Sequence, residues 1–222
     1  MWNFKRDIFR SEMDSGIEID LCFDTISPSA ACFSCGEIEF EPFDSMVVRF
    51  IYEKPSNGTD LDIMVFYDNT GTIYDKDAVG YGQTPNGTKV PTDATPDGNA
   101  YLWWASDDVG TTGGTCVEAV VIGIKNFTDN VSTVGNIIDI PLRVGWFNSR
   151  GDGNITIELV TYSGGTMSKV GTNIINTGGV VVDSQSTTKN VLSTSGQVTE
   201  IHSDLVGTVQ YNKTTKAAIL IA

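Results

Sequence analysis

Apolar and polar residues alternate along much of this chain. From Gly16, Ile17, Ile19 and Leu21 alternate with Glu18, Asp20 and Cys22, and Ile38 and Phe40 alternate with Glu37, Glu39 and Glu41. A period of two sends successive side chains to opposite faces, so these segments predict strands of an antiparallel sheet with one face on a core and one in water. Residues 46–52 and 61–67 are the next strands, and the Asn57-Gly58 pair between them predicts a hairpin. Tyr101-Leu102-Trp103-Trp104 resumes strand character after a Gly/Pro/Thr/Asp-rich loop over 82–99. The β-branched run at 117–124 predicts a central strand covered on both faces. Strands at 137–146 and 154–162 follow, joined by a tight turn over 148–153. Nowhere does a 3.6-residue apolar period persist, which excludes long amphipathic helices.

Beyond Gly164-Gly165 the texture changes to short pieces rich in Ser, Thr, Asn and Gly: 180–182, 191–192, 198–201, 205–211 and 217–221. Small strands of this kind bury too little surface alone, so they extend the sandwich or pair with neighbouring subunits. The apolar segment Ala217-Ala218-Ile219-Leu220-Ile221-Ala222 needs a cover, which argues for a homo-oligomer. The expected fold is therefore all-β: an antiparallel β-sandwich, jelly-roll-like, over 16–165. A polar arm over 1–15 precedes it, and a smaller C-terminal β region over 166–222 serves oligomer or particle contacts.

Composition narrows the function. The chain has 222 residues, 40% hydrophobic and 19% charged, with 23 Gly and a formal net charge of −14. Such a surface repels nucleic-acid phosphates and anionic membranes, and it suits a protein that collects hard cations such as calcium. No apolar stretch follows Met1-Trp2-Asn3-Phe4-Lys5-Arg6-Asp7, so no signal peptide is expected, and nothing reaches transmembrane length. The expectation is synthesis in a cytoplasm and an exit, if any, inside a virion.

The inventory for catalysis is thin. His202 is the one histidine, and its neighbours Ile201, Ser203 and Asp204 carry no nucleophile-elbow pattern, so no enzyme is expected. Cys32-Phe33-Ser34-Cys35 has half of a zinc pattern without a second pair. Free thiols at Cys22, Cys32, Cys35 and Cys116 are the simpler reading. Six Asn-x-Ser/Thr sequons, at Asn57, Asn86, Asn126, Asn130, Asn154 and Asn212, read as Asn/Thr-rich turns.

Two clusters stand out. In Thr59-Asp60-Leu61-Asp62-Ile63-Met64-Val65, period two puts Asp60 and Asp62 on one face while Leu61, Ile63 and Val65 face the core. Their mutual repulsion is relieved by a bound calcium ion, with the loop acids Asp107, Asp108, Asp75 and Asp77 available to close the site; the alternative is a solvated edge whose acids cap turns. In Tyr101-Leu102-Trp103-Trp104-Ala105-Ser106-Asp107-Asp108 the two indoles point to opposite faces. One that faces outward, with Tyr81, would stack on a sugar ring; the alternative is that both rings are packed.

These residues also carry a resemblance. Asp60-Leu61-Asp62, Val79-Gly80-Tyr81-Gly82, residues 101–108 and Glu118-Ala119-Val120-Val121-Ile122 follow one another as in a domain of structural proteins of tailed bacteriophages of Bacteroidetes. Arg143-Val144-Gly145-Trp146-Phe147-Asn148-Ser149-Arg150, residues 162–166 and Asn176-Thr177-Gly178-Gly179 resemble its downstream segments, so the likeness spans about 45–211. The same order of motifs is similar to the tellurium-resistance calcium-binding family, a β-sandwich with Asp-rich calcium loops. This chain departs from that family in Trp103-Trp104 and in its long C-terminal region. The resemblance implies calcium at Asp60, Asp62, Asp107 and Asp108, and a self-associating virion structural protein of capsid, neck or tail that contacts other virion proteins. The alternative is a calcium-dependent carbohydrate-binding module, with Tyr81, Trp103 and Trp104 meeting host surface glycans.

Overall fold

The computed structural model describes residues 42–54, 60–66, 78–80, 102–110, 113–124, 128, 135–147, 153–192 and 203–222. The chain divides into two compact units, Met1–Glu39 and Phe40–Ala222, and every described residue lies in the second. Outside the described residues fall the N-terminal arm, the strands expected at 17–22 and 37–41, Cys22, Cys32, Cys35, Asp75, Asp77, Tyr81, the 82–99 loop, the piece at 198–201 and His202.

The fold is an all-β sandwich of two five-stranded antiparallel sheets. Its strands are β1 (Ser45–Glu53), β2 (Leu61–Phe66), β3 (Ala78–Gly80), β4 (Leu102–Trp104), β5 (Thr115–Gly123), β6 (Ile137–Trp146), β7 (Gly153–Ser163), β8 (Thr166–Val170), β9 (Asn173–Thr177), β10 (Val180–Val191), β11 (Asp204–Asn212) and β12 (Ala217–Ile221). The first sheet runs β10-β7-β1-β5-β4 and the second β12-β11-β6-β2-β3, while among the described residues β8 and β9 pair only with each other. Among the described residues no helix is long and apolar enough to cross a membrane.

Alternation fills the space between the sheets. Val48, Phe50 and Tyr52 of β1 meet Ile138, Ile140, Leu142, Val144 and Trp146 of β6 in one continuous core that also takes Leu61, Ile63 and Val65. Each such fully buried aliphatic or aromatic side chain contributes about 1.5–3 kcal/mol. The run at 117–124 is covered on both faces as expected: Val120 and Ile122 enter the main core, and Ala119 and Val121 join a second, smaller cluster on the outer side.

The hairpin expected from Asn57-Gly58 does not form. β1 already has β5 on one edge and β7 on the other, so β2 crosses to the second sheet and pairs with β3 and β6. The connection from β6 to β7 likewise changes sheet. A turn signal reports a reversal of direction, and sheet membership is decided by which edges remain open.

The small C-terminal strands extend the sandwich. β10 borders β7 along its whole length, β11 pairs with β6, and β12 closes that edge. The outer edge of β12 is met by a side chain: Gln185 of β10 donates Nε2–H to the carbonyl of Ala218 at 2.9 Å, and its Oε1 accepts Leu220 N–H at 2.8 Å. A primary amide thus stands in for a strand at a place where an open ladder invites another chain.

Candidate functional site

The acidic residues come from three elements. Asp60 precedes β2, and its carbonyl accepts Phe147 N–H at 2.9 Å, which ties the start of β2 to the end of β6. Asp62 alternates with Leu61 and Ile63, which lie in the core, so its carboxylate takes the opposite face; even there the residue is only 2% exposed. Asp107 and Asp108 stand in the segment between β4 and β5, and Glu118 lies on β5, fully buried.

Asp62 and Asp107 each hold a buried carboxylate oxygen, Oδ2 and Oδ1 respectively, without a hydrogen-bond partner. A buried acceptor left this way costs about 1–3 kcal/mol, more when it is charged. Burial first, then the charges of Asp60 and Asp107, push the Asp62 carboxyl up to about 8. Burial, Asp60 and Asp108 also raise Asp107, with a hydrogen bond to Glu118 and the charge of Lys54 pulling the other way. Glu118 lies well above the ordinary range because it is buried and faces Asp107 and Asp62.

The remaining acids are engaged in holding the site together. Glu118 accepts the indole N–H of Trp104 on Oε2 at 3.2 Å and the backbone N–H of Asp108 on Oε1 at 3.3 Å. Asp108 accepts Gly110 N–H at 3.0 Å on Oδ1, and on Oδ2 both Val117 N–H at 2.8 Å and the Thr172 hydroxyl at 3.2 Å. Its carbonyl receives the Tyr52 hydroxyl at 2.8 Å, and Tyr52 packs edge-to-face on Trp146. Lys54 donates its ammonium to the carbonyls of Val109 and Gly110. The loop that carries Asp107 is therefore fixed at both ends and along its side.

The sequence expectation named Asp60, Asp62, Asp107 and Asp108 as calcium ligands. The structure brings the first three into one electrostatic cluster and commits both Asp108 oxygens to backbone and Thr172. Among the described residues, no group of three or more Asp, Glu, His or Cys side chains is placed to hold a metal ion. What points toward a hard cation is the pair of unpartnered buried carboxylate oxygens on Asp62 and Asp107, which lie in a field of like charge. Calcium completes a flexible shell of six to eight oxygens with backbone carbonyls and water. Soft metals fit less well, since burial raises the Cys116 thiol.

The expected sugar platform is corrected. Trp103 and Trp104 are 2% and 4% exposed, so neither indole offers a face to solvent. Trp104 enters the main core, and Trp103 lies in the outer cluster beneath Ile174 and Met167 of the β8–β9 hairpin. The indoles do point to opposite faces, but both faces of the sheet are covered there. Tyr81, the third member of that expectation, falls outside the described residues. Its neighbour Gly80 has φ of 127° and lies against β2, where a Cβ would come within 2.0 Å of the Ile63 carbonyl oxygen.

Glu118 escaped the sequence-based site. Its signal was a lone carboxylate inside a β-branched run already expected to be covered on both faces, a place where a charge needs partners. Lys54 and Thr172 carried no such signal. Compared with known protein families, curated proteins and solved structures, the chain matches none.

Proposed function

We propose that this chain is a non-enzymatic β-sandwich binding module that takes up a hard divalent cation, calcium by its oxygen donors, between Asp62 and Asp107 and in the field of Asp60, with backbone carbonyls and water completing the shell. The single observation that carries the reading is the Asp62 carboxylate, 2% exposed, with Oδ2 unpartnered and two further aspartates raising its proton affinity. Such a group is unfavourable unless a proton or a cation joins it. Glu118 and Asp108 act behind the ligands by fixing the loop backbone. The ion would supply neutralisation and cross-link β2 to the β4–β5 segment. Isothermal titration calorimetry with calcium, on chelator-treated protein, tests it: saturable heat that disappears in Asp62→Asn supports the reading, and no heat in the parent protein refutes it.

We further propose that the module serves as a structural component of a tailed phage particle. This rests on the motif series. Asp60-Leu61-Asp62, the Trp103-Trp104 segment and Glu118, far apart in sequence, together build the acidic site and its support. The test is mass spectrometry of purified particles; its absence from particles at structural copy number sinks the proposal.

A further inference from the structure

Among the described strands β10 is the longest, at 12 residues, and it ends the first sheet. β7 pairs with one of its edges, and among the described residues no strand pairs with the other. Beyond a bulge between Val181 and Asp183 its register is regular to Val191, and it contains no proline. An open ladder of this length is a template for another strand. The neighbouring edge strand of the second sheet, β12, differs, because the Gln185 amide bonds Ala218 and Leu220 there and stands where a further strand would lie.

The side chains along β10 specify what fits its edge. In a chain of net charge −14, this strand carries one acid, Asp183, and one base, Lys189, and so has no net charge. Gln185 and Lys189 lie opposite Leu159 and Ile155, which enter the core, and Asp183 Oδ2 accepts Gln185 Nε2–H at 2.7 Å. Even spacing therefore puts Asp183, Gln185 and Lys189 on the face toward the second sheet.

Asp183 and Lys189 each lie three residues from Ser186. Across a two-fold axis at Ser186, an antiparallel second copy sets Asp183 directly opposite Lys189 of that copy, on one face, and the symmetry repeats the pair. Ser184 then meets Thr188, Gln185 meets Thr187, and Ser186 meets itself, so no like charges oppose. The same register brings Val180 and Val181, 67% and 53% exposed, toward Leu192 of the second copy, 65% exposed. Moving the axis by one residue breaks both charge pairs. A lone lysine on an edge ordinarily repels other strands; here its spacing from Asp183 suits the strand's own copy.

We propose that β10 is a homodimer edge, joined to β10 of a second copy in antiparallel register about Ser186, so that two five-stranded sheets become one of ten strands. Asp183 and Lys189 set the register. The contact is independent of the cation reading given above.

Sedimentation velocity of the full chain, in chelator-containing buffer over a wide concentration range, tests this. The parent is expected to be a dimer that dissociates on dilution. Asp183→Lys and Lys189→Asp each set like charges opposite one another twice, so each should weaken the dimer about ten- to hundredfold, and the double variant should recover the parent value. On oxidation, Ser186→Cys should cross-link two copies through position 186, located by peptide mass spectrometry, while Ser184→Cys, which faces Thr188, should not cross-link to itself. A parent that is monomeric throughout, single variants that dimerise as tightly as the parent, a double variant no tighter than the singles, or a Ser186→Cys protein that cross-links no better than Ser184→Cys would each overturn the proposal.

Discussion

Trp104 donates its indole N–H to Glu118 Oε2 at 3.2 Å across the β4–β5 pair, and the two side chains are buried together. The pair places a polar contact at the rim of an apolar core and, through Glu118 Oε1, holds the backbone N–H of Asp108. One buried carboxyl therefore joins core packing to loop position. Glu118→Gln keeps the shape but has one acceptor oxygen where Glu118 uses two, so its NH2 group meets either the Trp104 or the Asp108 N–H and it should cost about 1–2 kcal/mol. Glu118→Ala should cost about 2–4 kcal/mol, because it opens a cavity and orphans two donors. Urea denaturation of both variants separates these outcomes, and equal losses would contradict the account.

The pH dependence has a definite sign. The Asp62 carboxyl is held at about 8 in the folded protein, against an ordinary value of 3.8. Between these values the folded state binds more protons than the unfolded state, so stability is greatest at the acid end and is lost as pH rises through about 8. Asp107 and Glu118 shift in the same direction and add to the trend. Chelator-treated protein should therefore melt at a higher temperature near pH 5 than near pH 8, and millimolar calcium should remove the difference by binding the ionised form. Thermal melts at constant ionic strength check this, and a rise in Tm from pH 5 to pH 8 without calcium would oppose it.

Gln185 guards an edge. Replacing it with Ala leaves the carbonyl of Ala218 and the N–H of Leu220 on β12 without their partner. Ile219 and Ile221 on the same strand are exposed. Gln185→Ala should cost about 1–2 kcal/mol and increase concentration-dependent association through the bared ladder. Analytical ultracentrifugation of parent and variant reads this directly; identical sedimentation across a wide concentration range would show that the amide does not protect the edge.

Arg49 should behave as an anchor of the hairpin. Arg49→Met keeps much of the stem but removes the bonds to Asn173, Ile174 and Glu158. A loss of about 1–3 kcal/mol is expected, with proteolysis appearing first between Thr166 and Thr177. Cleavage that begins elsewhere would place the weak point outside the hairpin.

Within the described residues most strands were legible in sequence: β6 coincides with the expected 137–146, β12 with 217–221, and β1, β5, β7 and β11 differ only at their ends. The β8–β9 hairpin was not, because Thr166–Val170 and Asn173–Thr177 have too few apolar residues to announce a face, and they are held by Arg49 and Thr172 at long range. Sheet membership was equally hidden, as the β1–β2 crossing shows. In the site, alternation sufficed to put Asp60 and Asp62 on one face. That Thr172 also bonds Asp108, or that Trp103 lies under a hairpin, depends on contacts between elements 60 or more residues apart, which no local pattern encodes.

The most direct test is a paired calcium titration of the parent protein and Asp62→Asn, followed by thermal unfolding. Asp62→Asn removes a carboxyl that must take up a proton to fold beside Asp60 and Asp107 near neutral pH, so without calcium it should match or exceed the parent in stability by about 1–3 kcal/mol. In saturating calcium the order should reverse, with the parent gaining about 2–4 kcal/mol by mass action and the variant gaining nothing. A parent protein whose Tm is unmoved by calcium, or an Asp62→Asn variant that gains as much as the parent, would contradict the proposed site.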